Sequence, residues 1–342
     1  MMESAPRDEL SKKFCDILLR DYPHHEPGTR PVHAIGIGAN GYFVPSDIAP
    51  NFCAAEHFRR TVDVTVRFSN GSGEPPERDR EQDVRGMATQ FHLSNGVETD
   101  LIMINLPVFF ADTPEAFYQF AKAGIPRKVA PDSWWQNVLD RLQFRQPDPL
   151  IGNRRESGNL GILRYANRHL AARAGTIAAQ MLITPTSYVR AMYHALHTFK
   201  LTNQAGKAHY GRFTWEPVAG VRPVATPEMN DDFLTTRLGS QLHPEQPARF
   251  VLRFALASQG DDLADPTKQW DTTRQRIVMG ELFLTKLVRD QRSECEEMCF
   301  NPTRLVQGIE CSDDPVLALR GDVYAYSCTQ RKHIGCPVGI HP

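Results

Sequence analysis

Strand-like segments fall into two blocks of this sequence, and that division constrains the fold more than any other feature. The first block lies between positions 33 and 110 and the second between positions 194 and 285. Thr61–Ser69 shows the pattern most clearly, because every second residue from Val62 to Phe68 is apolar, as in a strand with one buried face. Helical sequence separates the blocks and returns after the second. The chain is therefore predicted to have an α+β fold, an antiparallel sheet or barrel with a helical layer.

Further segments refine this prediction. Asp100–Phe110 is apolar on both faces, which indicates a buried strand that ends at Pro107. Helical periodicity predicts helices within residues 10–20, 113–124, 133–144 and 163–182.

A glycine-rich run, Gly36–Gly41, has the GxGxxG spacing of a dinucleotide-binding turn. Such a turn must open a helix, whereas here Pro45 follows shortly after the run. We interpret the run as a strand with bends.

Composition excludes some classes of partner. The 342 residues include 39 Lys and Arg and 40 Asp and Glu, for a net charge of −1. This balance argues against a nucleic acid or an anionic membrane held by bulk electrostatics. No apolar run approaches the roughly 20 residues of a membrane helix, and Met1–Pro23 is charged and amphipathic, unlike a signal peptide. The chain does not end in Ser-Lys-Leu, so we expect a cytoplasmic protein.

No segment has the composition of a linker between domains. We therefore expect one domain over residues 30–342, preceded by an N-terminal helical arm over residues 1–29.

The cysteines raise the alternative of a zinc site. There are seven, and five of them lie with His333 in the last 50 residues. Their irregular spacing argues against a disulfide framework. Cys295 and Cys299 are four residues apart, which suits a helix better than the C-x2-C knuckle of structural zinc sites. Free thiols are the expectation, and a zinc-stapled interaction protein is the alternative.

One helical face near the end of the chain carries unusual chemistry. Within LRGDVYAYSCTQR, Arg320, Tyr324, Ser327 and Arg331 occur at i, i+4, i+7 and i+11, which places them on one stripe of a helix. A tyrosine thus lies between two guanidiniums.

The order of several other motifs indicates what the residues on this helical face do. The motifs are RPVHA from Arg30, VRFS from Val66, DVRG from Asp83, PVFF from Pro107, HTFKLTNQAGKAHYGRFTWEP from His197, DPTKQW from Asp265, IVMGELFLTK from Ile277 and FNPTRLVQGIECSDDPVLALRGDVY from Phe300. The sequence resembles the haem catalase family, in which the same motifs occur in the same order. The resemblance spans Arg30 to Arg331. It is closest to the compact, catalase-related branch, which includes small peroxidases and allene oxide synthase-like enzymes.

The resemblance implies an antiparallel β-barrel that binds haem b, iron protoporphyrin IX. Tyr324 matches the family's proximal iron ligand, and Arg320 matches the arginine one turn before it, whose charge favours the phenolate form. Arg30, Arg67 and Arg331 match arginines that pair with the haem propionates. A guanidinium holds a carboxylate with two parallel hydrogen bonds, which lysine does not reproduce.

On the opposite, distal side, His33 matches the family's essential histidine. Its implied role is to take a proton from the iron-bound peroxide oxygen and deliver it to the outer oxygen, which leaves as water from a ferryl haem. Ser69 matches the serine that fixes the tautomer of that ring. Val32 matches the residue before the histidine, and Phe109 and Phe117 match aromatic positions near the haem.

One position departs from the family. The catalytic asparagine that family members carry three residues before the proline is replaced by Ile104, and Asn105 falls one position later. Adjacent side chains on a strand face opposite ways, so Asn105 serves as a catalytic residue only if the strand contains a bulge or a register shift.

We therefore expect a haem peroxidase that uses hydrogen peroxide or an organic hydroperoxide with a small reductant, and has weak catalase activity. A homo-oligomer is also compatible with the sequence. The alternatives are a fatty-acid hydroperoxide isomerase or lyase, which Val32 disfavours because allene oxide synthases of this branch carry threonine there, and a non-catalytic haem carrier or sensor.

Overall fold

The computed structural model describes residues 7–21, 28–71, 79, 82–125, 134–143, 158–224 and 232–334. Within them, the helices are α1 Arg7–Asp21, α2 Pro114–Ala123, α3 Trp134–Leu142, α4 Gly158–Arg168, α5 Leu170–Gln180, α6 Phe233–Gln241 and α7 Pro315–Ile334. The strands are β1 Gly36–Pro45, β2 Val62–Asn70, β3 Arg85–His92, β4 Glu98–Ile104, β5 Tyr193–His194, β6 Phe199–Thr202, β7 Ala208–Pro217, β8 Ala248–Leu256, β9 Arg276–Leu287 and β10 Ile309–Cys311.

Eight antiparallel strands close into a barrel. Their order is β7-β5-β4-β3-β2-β1-β9-β8, and β8 returns to pair with β7, which completes the circle. Strand β6 pairs with the first residues of β7, on the edge opposite β8, and β10 pairs in turn with β6. The predicted α+β fold with an antiparallel barrel is confirmed.

The barrel interior is the main hydrophobic core. The apolar residues of β2, Val62 to Phe68, belong to it together with the buried side chains of Phe43 and Trp215. On the opposite face of β2, however, Arg67 and Ser69 are also buried. Because alternate residues of a strand point to opposite faces, a second set of elements must cover the outside of the barrel here.

Helices supply that cover. Helix α1 packs against α2 and α7, with Phe14, Ile17 and Leu18 in an apolar cluster that includes Val323 of α7. The start of α2 is fixed by Thr113, whose hydroxyl accepts a hydrogen bond from the Ala116 amide at 3.2 Å. No helix among the described residues is long and apolar enough to cross a membrane.

Two predicted boundaries were wrong. The helical segment 163–182 belongs to two helices, because His169 has extended backbone angles (φ −125°, ψ 105°). Strand β4 ends at Ile104, before the predicted end at Pro107. The glycine-rich run lies within strand β1, in agreement with its interpretation as a strand.

Candidate active site

A cavity lies between the outer face of the barrel and helices α1 and α7. It encloses about 720 Å3 of empty space, part of it open to solvent. The predicted site residues that line it are Arg30, Val32, His33, Arg67, Ser69, Tyr324 and Arg331. Side chains as far apart in the sequence as Arg30 and Arg331 therefore meet at one cavity.

The barrel wall of the cavity is built from two rows of paired residues. Ser69, Gly86 and Ile104 form one row across β2, β3 and β4, and Arg67, Ala88 and Ile102 form the next. All six line the cavity. The central residue of each row is glycine or alanine, and these small residues make the middle of the wall flat. The wall therefore leaves room for a flat molecule.

His33 approaches the cavity from the segment before β1. Its backbone is left-handed (φ 55°), a conformation that costs energy and concentrates at functional sites. The Arg67 guanidinium donates a hydrogen bond to the His33 carbonyl at 2.9 Å, and Nδ1 of the His33 ring lies 3.0 Å from Oγ of Ser69. Burial lowers the pKa of His33 to about 4, against an ordinary value of 6.5, so the ring is neutral at pH 7.

Gly86 makes the contact between His33 and Ser69 sterically possible. A Cβ atom added to Gly86 would lie 2.6 Å from Ser69 Oγ and 2.9 Å from His33 Nδ1. Glycine at this position therefore leaves the space that the imidazole occupies.

Two arginines and a glutamate form a buried cluster at one end of the cavity. Arg67 donates from Nε to Oε1 of Glu296 at 2.9 Å and from Nη2 to Oε2 at 3.2 Å, and Arg30 also pairs with Oε2. Burial raises the pKa of Glu296, but the charges of Arg67 and Arg30 outweigh it and lower the pKa below the ordinary value. The cluster thus shows a carboxylate bound between the two arginines.

Helix α7 forms the wall opposite the barrel. Tyr324, Ser327 and Arg331 line the cavity on the predicted stripe, together with Val323. Arg320 lies behind Tyr324, with Nη2 3.5 Å from the phenol oxygen. The predicted helical face is confirmed.

Arg320 is itself held by a buried network that the sequence did not indicate. It donates from Nη1 to Nε2 of His197 at 2.7 Å, and Nδ1 of His197 lies 2.6 Å from Oδ2 of Asp314. Burial lowers the pKa of His197 to about 4, so a neutral ring accepts from Arg320 and donates to Asp314. Asp314 also caps α7 by accepting from the Val316 amide at 2.8 Å.

Similarity to known proteins decides the family. A family model described as Catalase matches residues 18–141 and 165–339, and a catalase-related peroxidase from Mycolicibacterium paratuberculosis is 33% identical over 310 residues. The chain belongs to the catalase family. Membership makes it an oxidoreductase and implies haem binding.

The relatives also locate the chain within the catalase family. The alignment with the Mycolicibacterium peroxidase covers 90% of each chain. A catalase-related peroxidase from Synechococcus elongatus is 29% identical, over 89% of this chain and 84% of the relative. Catalase A from Saccharomyces cerevisiae has the same fold, with a TM-score of 0.70 at 21% identity, over 92% of this chain but only 64% of that one. The chain therefore corresponds to the compact branch.

Asn105, predicted as a catalytic residue, is not among the residues that line the cavity of this catalase-family chain. Its Oδ1 accepts a hydrogen bond from the Arg85 amide at 2.7 Å, and its own amide donates to the Arg85 carbonyl at 2.9 Å. Strands β3 and β4 pair without a register shift as far as Gly86 and Ile104. Ile104 therefore occupies the cavity side of the strand.

Phe109 and Phe117 also lie outside the cavity lining. Phe109 packs against Phe117, with ring centroids 5.1 Å apart. The Phe109 ring centroid also lies 5.6 Å from Cζ of Arg320. Phe117 packs against Phe14 at 4.6 Å, and Phe14 lines the cavity. The two phenylalanines therefore pack against Phe14 and Arg320 and not against the cavity itself.

Several lining residues were not predicted as site residues. Phe14 and Leu18 come from α1, outside the motifs, and Phe300 is the first residue of the motif that leads into α7. The spacing of Phe14 and Leu18, four residues apart on a predicted helix, indicates a shared apolar face, but nothing local assigns that face to a cavity.

The cysteine prediction was partly wrong. Cys299 and Cys328 form a disulfide with their Cα atoms 5.6 Å apart, which ties α7 to the segment that precedes it. Cys15, Cys53, Cys295 and Cys311 are free. Among the described residues no group of three His, Cys, Asp or Glu side chains is placed to hold a metal ion; Cys336 and the His333 side chain lie outside those residues.

The side chains present fit a haem. The cavity offers an imidazole from the barrel side, a phenol oxygen on the α7 wall, and arginines at one end that already bind a carboxylate. A planar porphyrin with ionised propionates matches apolar walls that end in a cationic cluster.

Proposed function

We propose that this chain is a haem b peroxidase that reduces hydrogen peroxide or an organic hydroperoxide at the expense of a small reductant, and has weak catalase activity. The observation that carries the proposal is that His33 and Tyr324 line the same cavity from the barrel and from α7. The names of the relatives, catalase-related peroxidases, support the same activity. Bound haem would supply the redox centre that takes two oxidising equivalents from the hydroperoxide.

Within this proposal, His33 moves the proton. Its depressed pKa keeps the ring neutral, and the contact of Nδ1 with Ser69 leaves Nε2 to act on the substrate. We assign the ring proton to Nδ1, so the Nε2 lone pair accepts the hydroperoxide proton and returns it to the departing oxygen. General acid–base catalysis of this kind contributes about 10²–10⁴-fold.

Tyr324 is the proposed ligand to the iron. Its oxygen lies beside the Arg320 guanidinium, which in turn is fixed by His197 and Asp314. This network would hold a positive charge next to the ligand oxygen. Arg30, Arg67 and Arg331 are the proposed partners of the propionates.

The distal wall explains why we propose weak catalase activity. Catalase turnover needs a second hydrogen peroxide molecule to be oriented in the cavity. Ile104, in the same row as Ser69 and Gly86, and Val32, next to His33 in the chain, line this region, and their side chains offer no hydrogen bond. An organic hydroperoxide, which carries an apolar group, suits such a wall.

Reconstitution with haemin tests the proposal. We expect a Soret band, oxidation of a small aromatic reductant by cumene hydroperoxide, and slow oxygen release from hydrogen peroxide. Tyr324→Phe is expected to lose haem, whereas Tyr326→Phe, two residues away on the same helix, retains it. His33→Ala is expected to retain haem and lose peroxide reactivity.

The opposite results would overturn the proposal. If the wild-type protein shows no Soret band, the cavity is not a haem site. If His33→Ala reacts with hydroperoxide as fast as wild type, the histidine is not catalytic. Conversion of a polyunsaturated hydroperoxide without consumption of reductant would favour the isomerase or lyase alternative.

A further inference from the structure

Helix α5 carries large apolar side chains on the face that points away from the protein. Leu170, Ile177 and Met181 are 76%, 49% and 75% exposed, and Ala174 between them is also exposed. Their spacing of four, three and four residues places all four on one stripe of the helix. Ile183, just after the helix, is 64% exposed. The outer face of α5, defined by these five residues, is therefore an apolar surface.

The opposite face of α5 is buried and consists of small residues. Ala172, Gly175 and Thr176 are buried, and Ala172 lies in an apolar cluster with Phe120. A Cβ atom added to Gly175 would lie 2.7 Å from the Phe109 carbonyl oxygen, so the helix lies too close to this backbone to turn larger side chains inward. An ordinary surface helix has its large apolar residues inside and polar residues outside. Packing within the chain therefore gives no reason for the large apolar residues on the outer face.

The charged residues of α4 and α5 are all basic. Residues 158–183 include Arg164, Arg168 and Arg173 but no aspartate or glutamate. Arg168 is exposed at the end of α4, two residues before Leu170, and the Arg173 guanidinium donates to two carbonyls at the end of α4. Helix α2, which packs against α4, contains one acidic and one basic residue and so leaves this excess in place. Because the net charge of the whole chain is −1, the excess is local, and it is complementary to an anionic surface.

The size of the outer face favours a lipid surface over a second protein chain. A helix of 11 residues is about 16 Å long and about 10 Å wide, so one face covers about 160 Å2. Each partner in a stable protein interface contributes about 800 Å2. Two copies paired through this face would also bring two cationic surfaces together, which like charges disfavour. A helix at a bilayer surface, in contrast, needs only a few apolar side chains in the headgroup region and cations near anionic lipid.

We propose that the outer face of α5 docks on an anionic lipid surface. The helix lies in the plane of the interface, its apolar side chains enter the headgroup region, and the arginines at the junction of α4 and α5 lie near the lipid phosphates. The contact is peripheral and requires no membrane-spanning segment. It is independent of the proposed function, because no residue of α5 lines the cavity.

Vesicle flotation with the full chain tests the proposal. Two vesicle compositions are compared, phosphatidylcholine alone and a mixture of phosphatidylcholine with anionic phosphatidylglycerol. Wild type is expected to bind the mixture, and to bind phosphatidylcholine alone about tenfold or more weakly because the arginines then lack an anionic partner in the lipid.

A double variant tests the outer face itself. Ile177→Gln/Met181→Gln removes two apolar side chains from it, and glutamine is a good helix former. This variant is expected to bind the mixture about tenfold or more weakly than wild type, because two apolar side chains no longer enter the lipid. Val218→Gln/Val221→Gln is the matched control, because these side chains are 49% and 57% exposed in the segment after β7; it should bind like wild type. The thermal unfolding midpoints of all three proteins are expected to agree, because the replaced side chains are exposed.

Several outcomes would overturn the proposal. They are no binding of wild type to the mixture, equal binding to both compositions, and wild-type binding by Ile177→Gln/Met181→Gln. Sedimentation equilibrium without vesicles tests the other occupant: a dimer that this variant dissociates would assign the face to a second copy of the chain and overturn lipid docking. If the glutamine variant unfolds at a lower temperature than wild type, Ile177→Ala/Met181→Ala is compared with Val218→Ala/Val221→Ala by the same criteria.

Discussion

Replacing Ile104 with asparagine is expected to raise catalase activity. Ile104 lines the cavity in the same row as Ser69 and Gly86, at the last position of β4. The Ile104→Asn variant carries an amide at the position that, by resemblance to the family, corresponds to the catalytic asparagine. Under the proposed function, its side chain would provide the hydrogen bond that a second hydrogen peroxide molecule lacks in the wild-type cavity.

The structure bounds both the cost and the gain. Ile104 is 7% exposed, so the substitution loses about 1.5–3 kcal/mol of apolar burial. An incompletely satisfied amide adds about 1–3 kcal/mol, and the variant must be assayed well below its unfolding temperature. Loss of one well-placed donor in other active sites costs about 10²–10³ in rate. Gain of one donor without the surrounding preorganisation is therefore expected to give about 10–100-fold.

Oxygen release is measured with an electrode at equal haem content, together with oxidation of an aromatic reductant by cumene hydroperoxide. Ile102→Asn is the control, because Ile102 is similarly buried and lines the neighbouring row with Arg67 and Ala88. We expect oxygen release to rise in Ile104→Asn alone. If fully haem-loaded Ile104→Asn releases oxygen no faster than wild type, or if both variants gain equally, the reasoning about this position is wrong.

Three further predictions follow from the site. The rate of reaction with hydroperoxide is expected to fall only as the pH drops through about 4. Burial lowers the pKa of His33 to about 4, and only its neutral ring accepts a proton. A stopped-flow pH series in which the rate declines around pH 6.5 would contradict this. Gly86→Ala is expected to slow that reaction about tenfold or more at unchanged haem content, because its Cβ lies 2.6 Å from Ser69 Oγ; Gly239→Ala, whose Cβ has its nearest neighbour at 3.4 Å, should react at the wild-type rate. Reduction of the Cys299–Cys328 disulfide, which spans 29 positions, is expected to lower the free energy of unfolding by about 3–4 kcal/mol; identical urea curves with and without a thiol reductant would refute it.

Features with local causes were predictable. Alternation along β2 and the stripe of Tyr324, Ser327 and Arg331 on α7 follow from the periods of a strand and a helix. The strand residues lie in the barrel wall, and the three α7 residues line the cavity. The break at His169 was not predictable, because helix-forming sequence continues on both sides of it and only the extended angles of that residue separate α4 from α5.

Side chains brought together by tertiary packing account for the other differences. The side chain of Asn105 turned away because its oxygen bonds to the Arg85 backbone of the neighbouring strand. Cys299 and Cys328 were assigned as free thiols because spacing alone does not show which cysteines come within bonding range. Phe14 was missed because it lies before the first family motif.

The sequence by itself determined the class of fold, the face of α7 that carries the tyrosine and arginines, and the candidate histidine, because each follows from short-range periodicity or from motif order. Only the tertiary structure decided which groups act on which. Asp314 and Arg320 lie 117 and 123 positions from His197, and Glu296 lies 266 positions from Arg30. Such pairs form because closure of the barrel and packing of α1 and α7 against it bring distant segments into contact, and no local pattern encodes that distance.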